Sequence, residues 1–226
     1  MKKLIVTRCD KNIQEMADIT HPILERYAKF CNADFKIFDN NVKYHPHYKI
    51  LQIYDLLKEY DRILCIGTDT LILKSCPDIF KLVPIHMIAS IYEDKGTRQE
   101  DRRNRILNIQ KQRENIGWKE GYINSDVLLV SKMHRNIFNL DYNNLYQDLG
   151  FDDVEIGYQI NKNKYEVYEL PCEFNLMSMF LEPWSMKTKG DAYILHYAGQ
   201  GYIPGLSKTE QIKTDSKILK RYGLLM

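Results

Sequence analysis

Residues Arg62 to Ile66 (Arg-Ile-Leu-Cys-Ile) form a nearly continuous apolar run, bounded by Tyr60-Asp61 before it and Gly67-Thr68-Asp69-Thr70 after it. A run this short and this apolar suits a strand buried on both faces, as in a parallel sheet covered by helices. Two similar runs open the chain, Lys3 to Thr7 and Asp34 to Phe38. Between them Ile13, Met16, Ile19, Ile23, Leu24, Tyr27 and Phe30 recur at helical spacing. A β-α-β unit within the first 38 residues predicts an α/β fold with a mainly parallel central sheet flanked by helices. Pro22 lies inside the helical pattern and predicts a kink or a restart near Thr20.

The pattern continues downstream. His45 to Tyr60 carries Ile50, Ile53, Tyr54 and Leu57 on one helical face, and Leu71 to Leu73 resumes the apolar pattern after the turn. Pro77 to Phe80 reads as a short helix entered through proline. Strand candidates follow at His86 to Ile91, Tyr122 to Val130 (interrupted by polar residues), Tyr165 to Leu170 and Ala192 to His196. Thr97 to Gly117 is rich in arginine and lysine with few apolar residues, which predicts a solvated helix or a mobile excursion. Phe151 to Asn161 and Ser207 to Leu225 read as helices, the latter stopping near Gly223. No repeat, low-complexity tract or linker interrupts the chain, so residues 1–226 are expected to form one domain.

Composition narrows the function. With 32 basic and 30 acidic side chains the net charge is +2, too small a field to favour nucleic acid as a partner. No apolar run approaches the roughly 20 residues of a membrane span, and the three-residue apolar stretch after Lys2-Lys3 is too short for a secretory leader. Cys9, Cys31, Cys65, Cys76 and Cys172 are odd in number and contain no CxxC pair, which argues against a disulfide framework and a zinc cluster. A cytoplasmic location is the expectation; oligomeric state is left open.

Three segments carry candidate chemistry, each expected at a strand end, where open α/β sheets bind their ligands. Asp69 follows a buried strand, where a carboxylate must pair, bind a metal or face a solvated cleft, or else cap a turn amide. His196 ends an apolar strand; it is either a metal ligand or a histidine satisfied by backbone groups, while glycines just beyond it can expose amides to phosphate. Phe151-Asp-Asp-Val-Glu holds three acids in four positions, a site or a charged helix start.

The order of these segments adds specificity. Tyr60 to Leu73, Tyr-Asp-Arg-Ile-Leu-Cys-Ile-Gly-Thr-Asp-Thr-Leu-Ile-Leu, resembles the "YDRILYLDADTLVL" signature of GT-A glycosyltransferases, particularly family 8, which carries the DxD motif. Lys49 in HYKILQIYDLL matches the helix before that motif. Tyr122 to Val130 resembles "YFNSGVLLI", Asp152-Asp153 the acidic pair, Leu170-Pro171 with Phe174-Asn175 the "LP..YN" segment, and His196-Tyr-Ala-Gly the "HYAG" motif. The resemblance runs from Leu4 to Gly201 with every motif in order.

It implies a GT-A fold, Rossmann-like, and transfer of a hexose from a UDP-linked or other nucleotide-diphosphate sugar to a sugar or glycan acceptor. It further implies Mn²⁺ or Mg²⁺ held by Asp69 and His196, since an oxygen-rich metal site neutralises the leaving diphosphate. Thr7 and Arg8 match the nucleobase and ribose position. Lys49, Thr68, Asn124, Ser125, Gly199 and Gln200 complete the donor contacts the motifs imply, with Arg102 and Arg103 as further cations or as solvated charges. An inverting transfer needs a carboxylate base, for which Asp152 and Asp153 lead and Asp126 follows; the family resemblance implies retention, with the diphosphate able to act as base.

Three positions depart from the pattern. Gly67 replaces the first DxD aspartate, Asp126 replaces the glycine after Asn-Ser, and Gln200 stands where a lysine often follows "HYAG". A weaker metal site, a metal-independent enzyme or a relocated ligand, with Asp126 as a candidate, all remain consistent with this. Two other readings compete: a degenerate domain that holds nucleotide-sugar without turnover, kept alive by Gly67 and Gln200, and a sugar-1-phosphate nucleotidyltransferase, disfavoured because Thr7-Arg8-Cys9-Asp10 lacks glycine. Thr97 to Gly117 and the terminal helix are the expected acceptor-side elements.

Overall fold

The computed structural model describes residues 1–226. In chain order the elements are β1 (Lys3–Arg8), α1 (Gln14–Phe30), β2 (Asp34–Phe38), α2 (Ile53–Leu56), β3 (Arg62–Ile66), β4 (Thr70–Ile72), α3 (Ile79–Leu82) and β5 (Ile88–Ser90). There follow α4 (Gln99–Gln112), β6 (Val127–Ser131), α5 (Phe151–Lys162), β7 (Val167–Glu169), β8 (Ile194–His196) and α6 (Lys208–Arg221). Six strands form one sheet in the order β2-β1-β3-β6-β5-β7, and β4 pairs with β8 in a second, two-stranded sheet. The β1–β2, β1–β3 and β5–β7 pairs are parallel, as the β-α-β pattern predicts, whereas β6 runs antiparallel to both of its neighbours.

Side chains alternate across the large sheet and divide the core in two. Leu4, Val6, Ile63, Cys65, Leu128 and Val130 face one layer, which holds Tyr48, Ile50, Ile53, Ile137 and Ile156. Ile5, Leu64, Ile66, Val127 and Leu129 face the other, which is closed by Leu24 and Tyr27 of α1, by β4 and β8, and by Ile212 of α6. A third cluster joins Ile106 and Ile109 of α4 to Trp118, Tyr122 and Tyr158. The few apolar residues of the charged segment therefore suffice to dock it, and α4 is a packed helix.

Two local expectations change. The helix runs unbroken through Pro22, which lies on its exposed face. The His45 to Tyr60 pattern becomes a 3₁₀ turn, Pro46–Gln52, and the single turn of α2. Tyr48, Lys49, Ile50 and Leu51 are all buried in succession, so this four-residue stretch has no solvent face of the kind an amphipathic helix needs.

Candidate active site

Segments distant in sequence meet at one end of the large sheet. β1 and β3 finish there, and β6 starts there because of its reversed direction: Val127 pairs with Ile66, and the Gly67 N–H donates to the Asp126 carbonyl at 2.9 Å. The small sheet adds the third segment. Thr70 pairs with His196, and the Tyr197 N–H donates to the Asp69 carbonyl at 2.9 Å.

The side chains converge. His196 Nε2 lies 3.4 Å from Asp69 Oδ1 and 3.5 Å from Asp126 Oδ2, and one ligand atom from each residue falls within 4.8 Å of the other two. His196 is 1% exposed; its Nδ1 sits 2.7 Å from Asn175 Oδ1, while Nε2 has no hydrogen-bond partner. With Nδ1 donating to the amide oxygen, Nε2 of the neutral ring carries a buried lone pair directed between two carboxylates. Such an atom is costly unless a proton or a cation satisfies it. Two carboxylates and one imidazole suit Mn²⁺ or Mg²⁺, so the residues fit the cation that the motifs imply.

Asp126 also accounts for Gly67. A Cβ at position 67 would lie 2.8 Å from Asp126 Cγ and Oδ1, so the space that a side chain there would enter is filled by this carboxylate. The motif's missing acid and the supernumerary one occupy a common volume.

Each aspartate of the triad is paired with a cation. Lys208 Nζ donates to Asp69 Oδ2 at 2.7 Å, and Arg8 donates to both Asp126 and Asp152 and, at 2.8 Å, to the His47 carbonyl. Burial opposes the charge on Asp69, but His196 and Lys208 outweigh it and hold its carboxyl well below the usual carboxylate range. Burial likewise disfavours a charged His196 ring, yet Asp69 and Asp126 raise its pKa above the ordinary value. Asp152 is buried and held low by Arg8 and His47, with His47 Nδ1 at 3.2 Å and the Ser125 hydroxyl donating at 2.6 Å. Asp153 behaves oppositely: burial, then Asp152, Glu93 and Asp126, push its carboxyl up to about 8. Both acids stand in the first turn of α5, and Asp153 Oδ1 accepts from the Ser125 N–H at 2.7 Å.

Arg8, Lys49, Thr68, Asp69, Asp126 and Lys208 line a cavity of about 200 Å³. Lys49 is buried and donates to the Cys9 carbonyl. Thr7 is fully buried behind Thr68, their hydroxyls 3.0 Å apart. Asn124 is buried among side-chain partners, Gly199 is exposed at φ +60°, and Gln200 is exposed, its carbonyl accepting from Gln211. Arg102 pairs with Glu93 at 2.7 Å, and Arg103 with Asp94 and Glu120. Lys208 and Glu93 are the residues that sequence reasoning did not single out, while Asn175 entered it within the "LP..YN" segment with no role attached; a lysine opening a helix past a glycine-rich turn was the available sign for Lys208.

The chain matches no protein-family model and no curated protein. Solved structures are similar to it. A glycosyltransferase involved in the glycosylation of the major capsid of PBCV-1 superposes with TM-score 0.61 at 11% identity, over 96% of this chain and 100% of that one. The galactosyltransferase LgtC, in complex with donor and acceptor sugar analogs, gives TM-score 0.56 at 14% identity, over 95% of each chain. A mutant of the Drosophila β1,4-galactosyltransferase 7, in complex with manganese, UDP-Gal and xylobiose, gives TM-score 0.52 at 11% identity, over 94% of this chain and 80% of that one. The chain has the GT-A fold of these glycosyltransferases.

Proposed function

We propose that this chain is a glycosyltransferase that moves a hexose from a UDP-linked donor to a sugar or glycan acceptor, with Mn²⁺ or Mg²⁺ held by Asp69, Asp126 and His196. The observation that carries this reading is the unpartnered, buried His196 Nε2 aimed between two carboxylates at the strand ends of a GT-A sheet. The donor and acceptor analogs of LgtC and the manganese and UDP-Gal of the Drosophila enzyme support the donor class and the cofactor. A divalent cation bound there supplies Lewis-acid neutralisation of the diphosphate as the glycosidic bond breaks.

The remaining residues take roles that follow from their surroundings. Arg8 and Lys208 line the same cavity and suit the diphosphate oxygens, Lys208 making up for Gln200. Thr7, Thr68 and Lys49 shape the wall against the nucleoside, and Asn124, Ser125 and the Gly199 backbone border the donor sugar. Asp152 anchors Arg8, while Asp153 keeps its proton at neutral pH and offers it to a sugar hydroxyl. Neither acid is a free base at pH 7, which supports retention, with the departing diphosphate taking the acceptor proton. The five unpaired cysteines support a reducing compartment, the cytoplasm. Because Asp126 fills the space beside Gly67, Gly67 no longer favours a domain that merely holds nucleotide-sugar.

A donor screen read by UDP release, with and without Mn²⁺, tests the proposal. Mn²⁺-stimulated release from one UDP-hexose is the expected result. Binding of UDP with no release from any donor would support the holding domain instead, and absence of both UDP and Mn²⁺ binding would overturn both.

A further inference from the structure

A neutral imidazole keeps its proton on either nitrogen, and one of the two forms alone leaves Nε2 able to bind a cation. In this chain the choice is made three hydrogen bonds away. Glu93 receives Arg102 Nε on Oε2 at 2.7 Å, and Arg98 Nη1 lies 3.5 Å from the same oxygen. Its other oxygen accepts from Asn124 Nδ2 at 2.6 Å. A carboxylate held by guanidinium groups can only accept, so Asn124 must point its NH₂ at Glu93 and its oxygen away. That oxygen accepts from Asn175 Nδ2 at 2.8 Å and from the Asp126 N–H at 3.1 Å. Asn175 must then turn its own oxygen to His196 Nδ1, which has to donate. All four side chains are at most 4% exposed, so bulk water does not reset the polarity at any step.

We propose that Glu93, anchored by Arg102, is a positioning residue that fixes His196 in its Nδ1–H form and thereby keeps Nε2 open to the cation; the functional consequence rests on the cation reading above. The charged helix α4 thus reaches the site through Arg102. It does so without touching the cavity.

Glu93→Gln keeps the shape and reverses the polarity. Arg102 holds the amide oxygen at the Oε2 position, which leaves an NH₂ facing Asn124. Asn124 and Asn175 then turn over in succession, giving up the bond from the Asp126 N–H that also holds Asn124, and the His196 proton moves to Nε2. Adding Asn175→Asp restores the original form: the turned Asn124 donates to one oxygen of the new carboxylate, and the other accepts from Nδ1–H.

Ring-¹⁵N-histidine NMR in alkaline buffer, where the ring is neutral, reads the tautomer with no metal or substrate present; Mn²⁺ titration followed by EPR reads the affinity. The expected pattern is Nδ1–H in the wild type, then Nε2–H with Mn²⁺ affinity lowered about 10–100-fold in Glu93→Gln, then recovery of both in Glu93→Gln/Asn175→Asp. The proposal is overturned by a wild-type ring protonated on Nε2, by a Glu93→Gln ring and affinity that do not change, or by a double variant no better than the single one. The wild-type spectrum needs no substitution, so it decides even if Glu93→Gln fails to fold. A wild-type chain with Nδ1–H that binds no Mn²⁺ would support the relay and overturn the cation reading, which separates the two failures.

Discussion

At Gly67 and Asp126 a single volume serves two positions, 2.8 Å separating a Cβ at 67 from the carboxylate of 126. Gly67→Asp alone should overpack this corner and crowd two acids, costing about 1–3 kcal/mol. Gly67→Asp/Asp126→Gly should recover most of that loss and keep Mn²⁺ binding, whereas Asp126→Gly alone loses a ligand and should weaken binding at least about 10-fold. Urea unfolding and Mn²⁺ titration of the three variants check this; strictly additive effects would mean that the two positions do not share the space. Asp153 supports a second expectation. Its folded pKa is raised to about 8, against about 3.9 for an unfolded aspartate. Between those values the folded chain binds a proton that the unfolded chain has released, so this group's contribution is fully present below about pH 4 and is lost as pH rises to about 8. The melting temperature of Asp153→Asn minus that of the wild type should therefore grow from pH 5 to pH 8 and level off above. A difference independent of pH would refute the protonated form.

Among the elements, α5 depends most on its entry. Gly150 at φ +100° caps it, and a Cβ there would meet Tyr122 Oη at 2.3 Å and Val154 Cγ2 at 2.5 Å. Gly150→Ala combines left-handed strain with a clash and should cost about 1–3 kcal/mol. The urea midpoint should fall with an unchanged slope, and a variant as stable as the wild type would show that the helix start can shift freely. The same helix end presents Asp152 to Arg8, so the cap and the site are tied. Helix α4 makes a comparable link on the other side. Two buried isoleucines dock it and one arginine carries its position to Glu93. Its high charge had suggested a solvated segment because hydropathy records how many residues are polar, not which of them face another element.

For the whole molecule, the site joins both sheets and the terminal helix: Asp126 immediately precedes β6 of the large sheet, Asp69 precedes β4, His196 ends β8, and Lys208 opens α6. A ligand that bridges these parts should stabilise the entire fold. At a cation concentration about 100 times Kd, binding contributes about 2.7 kcal/mol, which for a chain of this size raises the melting temperature by roughly 5–11 °C. Differential scanning calorimetry with Mn²⁺, then with excess EDTA, should show the rise and its reversal; no shift at saturating Mn²⁺ would count against the triad. The strand and helix alternation, the buried run at Arg62 to Ile66 and the motifs around Asp69 and His196 could be read from residue order, because short-range periodicity and turn chemistry depend on neighbours within a few positions. The Gly67–Asp126 exchange, the Lys208–Asp69 pair 139 residues apart, and the relay from Glu93 to His196 could not. They arise from the reversed direction of β6 and the pairing of β4 with β8, and strand register between remote segments is settled by how the packed layers fit together, which leaves no periodic trace along the chain.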